Sequence, residues 1–352
     1  MTHPYNFRLA ALTLTLALAL LAPGCSTPAP TPDPAALAAL VWPKPPEPPR
    51  IKYLQSVAGP LDWGIELSWW RRLANALIGA SAQHFVRPSA VAEADGVLYV
   101  ADPGAQSLWL LDRPGKQASQ ITTIGGEALV SPVALALRAD GAVFVADTTL
   151  NKVFLLDRKG VLLRTFATQG LERAAGLAWS EFAQQLFVID SKRHRVTVFD
   201  GDGTVLRHMG DSGRGNGQFN FPTHIALAPE GALLITDALN FRVQALSPDG
   251  DFLWKFGNHG NGSGDFAAPK GVAVDASGHY YVVDALFDAV QIFDQSGQLL
   301  LTFGDRGEQP GQLTLPRGIF ISKEDKIYVA DAYNRRVQVF LGALATQKEQ
   351  AK

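Results

Sequence analysis

The chain has 352 residues, more than a single hydrophobic core usually supports, so it must either divide into domains or grow by repetition. Its formal net charge is -2 with 18% charged residues, which removes the basic field that a nucleic-acid partner requires. It has one cysteine, Cys25, so neither a disulfide nor a thiolate metal cluster can form within the chain.

In chain order, the first segment has the layout of a secretory signal. Arg8 precedes an apolar or small run from Leu9 to Leu21, and Ala22-Pro23-Gly24-Cys25 follows. The run is too short to serve comfortably as a permanent membrane anchor. The end of the segment resembles the lipobox of bacterial lipoproteins, which implies cleavage after Gly24 and lipidation of Cys25. Pro23 departs from the usual small residue there, and Ala22 and Gly24 also suit ordinary signal peptidase, which leaves a dissolved periplasmic protein as the alternative. Ser26 after the cysteine implies, within that resemblance, the outer membrane. Residues 1–24 are thus read as signal peptide. Residues 25–49, dense in proline, are read as a lipidated cysteine and an extended spacer in polyproline II conformation.

Residues 50–59, RIKYLQSVAG, read as a strand, and 60–85 as an insertion. Within the insertion Trp70, Leu73, Ala74 and Leu77 fall on one side at helical spacing, predicting a short helix that docks its stripe on the body or lies at a membrane surface.

From residue 86 to 341 one grammar repeats. LYVAD ending at Asp102, VFVAD at Asp147, LFVID at Asp190, LLITD at Asp237, YYVVD at Asp284 and IYVAD at Asp331 recur every 43 to 47 residues. Their β-branched and aromatic content predicts strands at a propeller-blade period. A large apolar residue follows each Asp by six positions (Leu108, Val153, Val196, Val243, Val290, Val337), which sets a hairpin of constant length. Five units carry a glycine thirteen residues after the Asp, where a second hairpin turn calls for positive φ. Pro88, Pro132, Pro222, Pro269 and Pro316 introduce a preceding strand, and Ala174 takes that place in the third unit. Each unit is therefore a four-stranded meander whose faces are buried when six of them pack around an axis. The sixth unit stops after three strands, and residues 50–59 are expected to supply its fourth. Residues 342–352 form a tail.

PRGIFISKEDKIYVADAYNRRVQVF resembles the NHL repeat, and the likeness runs through residues 85–341. The fold expected is all-β, a six-bladed propeller. The resemblance implies protein binding, RNA binding or, less often, enzymatic activity.

The connections between units and the central hairpins emerge on one face of such a propeller. That places Arg214, His224, His259, Lys270, Arg306 and Arg317 there, with Arg193, His194, Asn240, Asn334 and Arg335 from the hairpins. His224 breaks the repeat, since Ala90, Ala134, Gly176, Gly271 and Gly318 hold the matching place. One imidazole without recurring partners makes no metal site, so no metal or other cofactor is expected. The six aspartates, being periodic, read as turn locks. The expected ligand-binding set is His224, Lys270, Arg317, Arg193, His194, Asn240, Asn334 and Arg335. The expected role is a protein- or peptide-binding envelope scaffold without catalysis, and a metal-dependent lyase or lactonase at the channel mouth is the alternative.

Overall fold

The structure, a computed structural model, describes residues 37, 39–66, 84–166 and 170–342. The signal segment, Cys25 with most of the spacer, the helix predicted around residues 70–77 and nearly all of the tail lie outside the described residues.

Each repeat folds as the sequence predicts, from the axis outward. In the first blade the order is Ala90–Ala94, Val97–Asp102, Ser107–Asp112, Gln117–Ile121, each strand antiparallel to the next. The second strand of every blade is buried along almost its whole length, because both of its faces meet a neighbouring blade. That is why these strands read as unbroken apolar runs. Outer strands such as Phe252–Phe256 alternate exposed and covered positions, as one face meets water.

Six clusters of buried side chains fill the six seams between blades. The seam joining last blade to first is one of them: Tyr328, Val337 and Val339 pack with Val91, Leu98, Val100 and Trp109. Across it the Tyr328 hydroxyl donates to Glu93 Oε2 at 3.1 Å. The ring is closed, and the fold is an all-β six-bladed propeller.

The closure uses the N-terminal strand. Ile51–Val57 pairs antiparallel with Arg336–Leu341 as the fourth strand of the last blade. It also reproduces an irregularity of the other outer strands. A bulge leaves an unpaired, exposed leucine at Leu163, Leu206, Leu253 and Leu300 in blades two to five, and Leu54 takes that place in the closing strand. Ile51 and Tyr53 pack toward the fifth blade and Val57 toward the first. Burying Ile51 and Val57 contributes roughly 1.5–3 kcal/mol each.

The proline-rich segment is more ordered at its end than its composition predicts. Val41–Trp42 adds a short fifth strand beside Ile51 and Lys52. The Trp42 ring centroid lies 6.0 Å from that of Phe303 and 5.8 Å from that of Phe340. Two residues free of proline suffice for that pairing, and an indole against an aromatic seam holds it there.

The recurring aspartates lock two segments at once. Asp284 accepts backbone N–H groups from Ala267 and Ala268, on the connection leading into its blade, and from Leu286 and Phe287, in its own hairpin. Asp147 does the same with Val130, Ser131, Thr149 and Leu150. Each Asp is fully buried, so satisfying its oxygens in this way is the condition for its charge to be tolerated. The residue four places beyond each Asp takes a left-handed conformation: Gln106, Asn151, His194, Phe241, Asp288 and Arg335 have φ between 49° and 57°. The hairpins are therefore one repeated turn that aims all six connections at the same face.

Candidate functional site

At that face the inner strands converge on the axis. Their closest layer holds Ala90, Ala134, Gly176, His224 and Gly318, which line the central channel, and Gly271 at the matching place of the fifth blade. The glycines are needed there because adjacent blades nearly touch. A Cβ on Gly271 would lie 2.7 Å from the Arg317 carbonyl oxygen, and one on Gly318 would lie 2.5 Å from that of Ser89. A Cβ on Gly176 would lie 3.0 Å from the His224 Cα. In a layer of hydrogens and methyl groups the His224 imidazole is the one large side chain, and it borders the cavities on both sides.

Below it runs a channel of about 250 Å³ lined by the inner strands, with Leu135, Trp179 and Phe320 among its walls. Above it lies a mouth of about 240 Å³ lined by Thr148, Arg173, Ser191, Thr223, Lys270 and Arg317. His224 thus forms the floor of one cavity and the roof of the other.

The electrostatics of the mouth are one-sided. The Gly271 N–H donates to the Arg317 carbonyl at 2.9 Å, which ties together the strand ends that carry Lys270 and Arg317. Burial lowers the Lys270 pKa below its ordinary value, and the Arg317 charge lowers it further. Arg317 is lowered in turn by burial and by Arg87. Among the described residues no carboxylate is within ion-pairing distance of Arg173, Lys270 or Arg317. Asp284 offsets Lys270 only in part, its oxygens being held by the backbone. Burial, then Lys270 and Arg317, push the His224 pKa down to about 3, so its ring is neutral near pH 7. Its Nδ1 is enclosed and has no hydrogen-bond partner, as are the hydroxyls of Thr148 and Thr223.

Of the residues singled out from the sequence, His224, Lys270 and Arg317 come together here. The others stand around them. Arg193 binds Glu172 at 3.0 Å, and His194 Nδ1 accepts the Phe221 N–H at 2.9 Å. Asn240 donates to Asp237 and to the Gly213 carbonyl, and Asn334 donates to Asp331 and to that of Gly307, so both amides are used inside the fold. Arg335 is exposed in a shallow pocket with Val86, Arg87 and Tyr333. The His259 ring packs on Phe241, tilted, with centroids 4.1 Å apart, and Arg306 lies 3.9 Å from Asp288.

Arg173 is a lining cation that the sequence reading missed. It stands just before Ala174, in the third unit, where the proline that registers the repeats is absent. Aligned on that place, Arg87 and Arg173 precede it and Lys270 and Arg317 follow it, so a scan of both flanking positions would have found all four. The guanidinium of Arg173 lies 5.4 Å from the centre of the Phe221 ring, which also lines the mouth.

No family model matches the sequence, and no curated relative matches it. Solved structures with a similar fold do. A protein of unknown function from Bacteroides thetaiotaomicron aligns at TM-score 0.62 and 16% identity over 74% of this chain and 70% of its own. A virginiamycin B lyase from Staphylococcus aureus aligns at TM-score 0.57 and 15% identity, covering 73% of this chain and 95% of that one. A gluconolactonase from Xanthomonas campestris gives TM-score 0.57 and 15% identity, with 73% of this chain and 86% of that one covered. At these identities the likeness is one of fold.

Proposed function

We propose that this chain is an exported, lipid-anchored propeller of the NHL type that binds a protein or peptide partner on its loop face. The observation that carries the reading is the convergence of Arg173, Lys270 and Arg317 on one mouth with no carboxylate in ion-pairing contact among the described residues. Cations gathered at one mouth without ion-paired partners make a local positive field, and an acidic group on a partner is drawn to it. Exposed Leu239, Leu286 and Tyr333 at the tips of three neighbouring hairpins add apolar contact on the same face. The lipobox-like end of the signal and the proline-rich spacer support anchoring at Cys25, with the propeller held off an outer-membrane surface.

The same positive field repels a divalent cation. Among the described residues no group of three or more His, Cys, Asp or Glu is placed to hold a metal ion. Both features favour binding over metal-assisted lyase or lactonase chemistry.

Site-specific photocrosslinking in living cells tests the reading. A photoreactive residue at Leu239, Leu286 or Tyr333 is expected to give one discrete heavier adduct, while the same residue at Phe182, on the opposite face, gives none. Equal adducts from both faces, or none from either, overturn the loop-face assignment. In the same cells Cys25→Ala is expected to move the protein from the membrane pellet to the soluble fraction.

A further inference from the structure

We infer that the channel mouth is a carboxylate site that receives the C-terminal end of the partner's chain, whose last apolar side chains lie on an arc formed by Leu239, Leu286, Leu315 and Tyr333. The inference rests on the loop-face reading above and specifies its chemistry.

Three observations carry it. The first is charge: blades three, five and six each direct a cation into one small cavity, and none of the three has a carboxylate partner among the described residues. A carboxylate supplies acceptors for the Lys270 ammonium and the two guanidiniums, and its second oxygen suits the fork of Arg317.

The second is shape. The mouth, at about 240 Å³, is smaller than the roughly 300–1,000 Å³ typical of sites for drug-sized ligands. The His224 ring stands between it and the channel below. A pit this small, narrowed at its floor, suits a chain end better than a continuing segment.

The third is the apolar arc. Leu239 donates its N–H to the Asn220 carbonyl, next to Phe221 at the mouth, and Leu315 stands two residues before Arg317. Leu239, Leu286, Leu315 and Tyr333 are all exposed and belong to consecutive blades on the side of the mouth that bears Lys270 and Arg317. A free phosphate or sulfate has no use for these side chains. A peptide ending in apolar residues covers them while its terminal carboxylate reaches the cations, which pair with it as arginine clusters pair with acidic motifs.

The test uses the full-length protein in detergent and fluorescein-labelled random octapeptide pools with leucine at the last position, read by fluorescence anisotropy. The free-acid pool is expected to bind at least ten-fold more tightly than the same pool amidated at its end. The double substitution Lys270→Gln/Arg317→Gln should abolish that preference, and Arg173→Gln should reduce it. Lys192→Gln, which removes an exposed cation paired with Glu172, should leave it intact. A melt confirms that each variant is folded. Leu286→Ser should weaken the free-acid pool several-fold. Equal binding of acid and amide pools, no binding of either, or an unchanged preference in the folded double variant overturns the inference. So does an amidated pool with an internal Glu that binds as well as the free acid, or displacement by inorganic phosphate at the concentration where N-acetylleucine displaces. If any of these occurs while the loop-face photocrosslinks still form, the chain-end chemistry is wrong and the docking face stands; without those crosslinks the docking face itself is wrong.

Discussion

At the channel constriction every blade but one contributes no side chain larger than a methyl, and the fourth contributes the His224 imidazole. Its neutrality has a measurable consequence for stability. The folded protein holds the ring deprotonated with a pKa near 3, whereas the unfolded chain takes up a proton below the ordinary value of 6.5. The stabilising contribution of the neutral ring is therefore complete above pH 6.5 and is lost progressively as pH falls toward 3. At pH 5 the loss is about 2 kcal/mol. His224→Gln should melt less steeply with acidification, so that its thermal midpoint gains on the parent between pH 7 and pH 5. Parallel curves would show that the ring is not held neutral. A carboxylate bound above the imidazole would raise its pKa, so the parent's acid sensitivity should shrink in the presence of a saturating free-acid peptide.

At the scale of the strand and turn, the aspartates were legible because each blade meets the same requirement. A connection has to be tied to a hairpin, and a buried carboxylate with several backbone donors does so without a second side chain. Asn240 and Asn334 show where such reading stops. The sequence places them on the loop face, but only the structure shows their amides joining Asp237 and Asp331, together with Arg242 and Arg336, to lock the longer connections. The mouth was half legible. His224 broke the repeat visibly and Lys270 and Arg317 followed a proline, whereas Arg173 lay in the unit whose register marker was missing. Which cations face one another depends on the turn of the ring, and no local pattern encodes that. Asp284→Asn tests the lock. An amide turns a donor toward the N–H groups of Ala267, Ala268, Leu286 and Phe287, and should cost about 2–4 kcal/mol, a fall of roughly 5 °C in the thermal midpoint. A midpoint within a degree of the parent would contradict it.

For the molecule as a whole, the cations meet only because the ring closes. Arg173, Lys270 and Arg317 are separated by up to three blades in sequence, and an open array would scatter them. Closure depends on Ile51–Val57 pairing with a strand that begins 279 residues after Val57, at Arg336. The sequence indicated this through two incomplete ends, a unit lacking its outer strand and a lone strand ahead of the first unit. Hydrogen exchange followed by mass spectrometry tests the closure most directly. If the ring is sealed as described, the amides of residues 51–57 are protected to the same degree as those of 336–341, and denaturant abolishes both at one concentration. Free exchange in 51–57 while 336–341 stay protected would mean that the last blade is completed in some other way and that the mouth is not built as described.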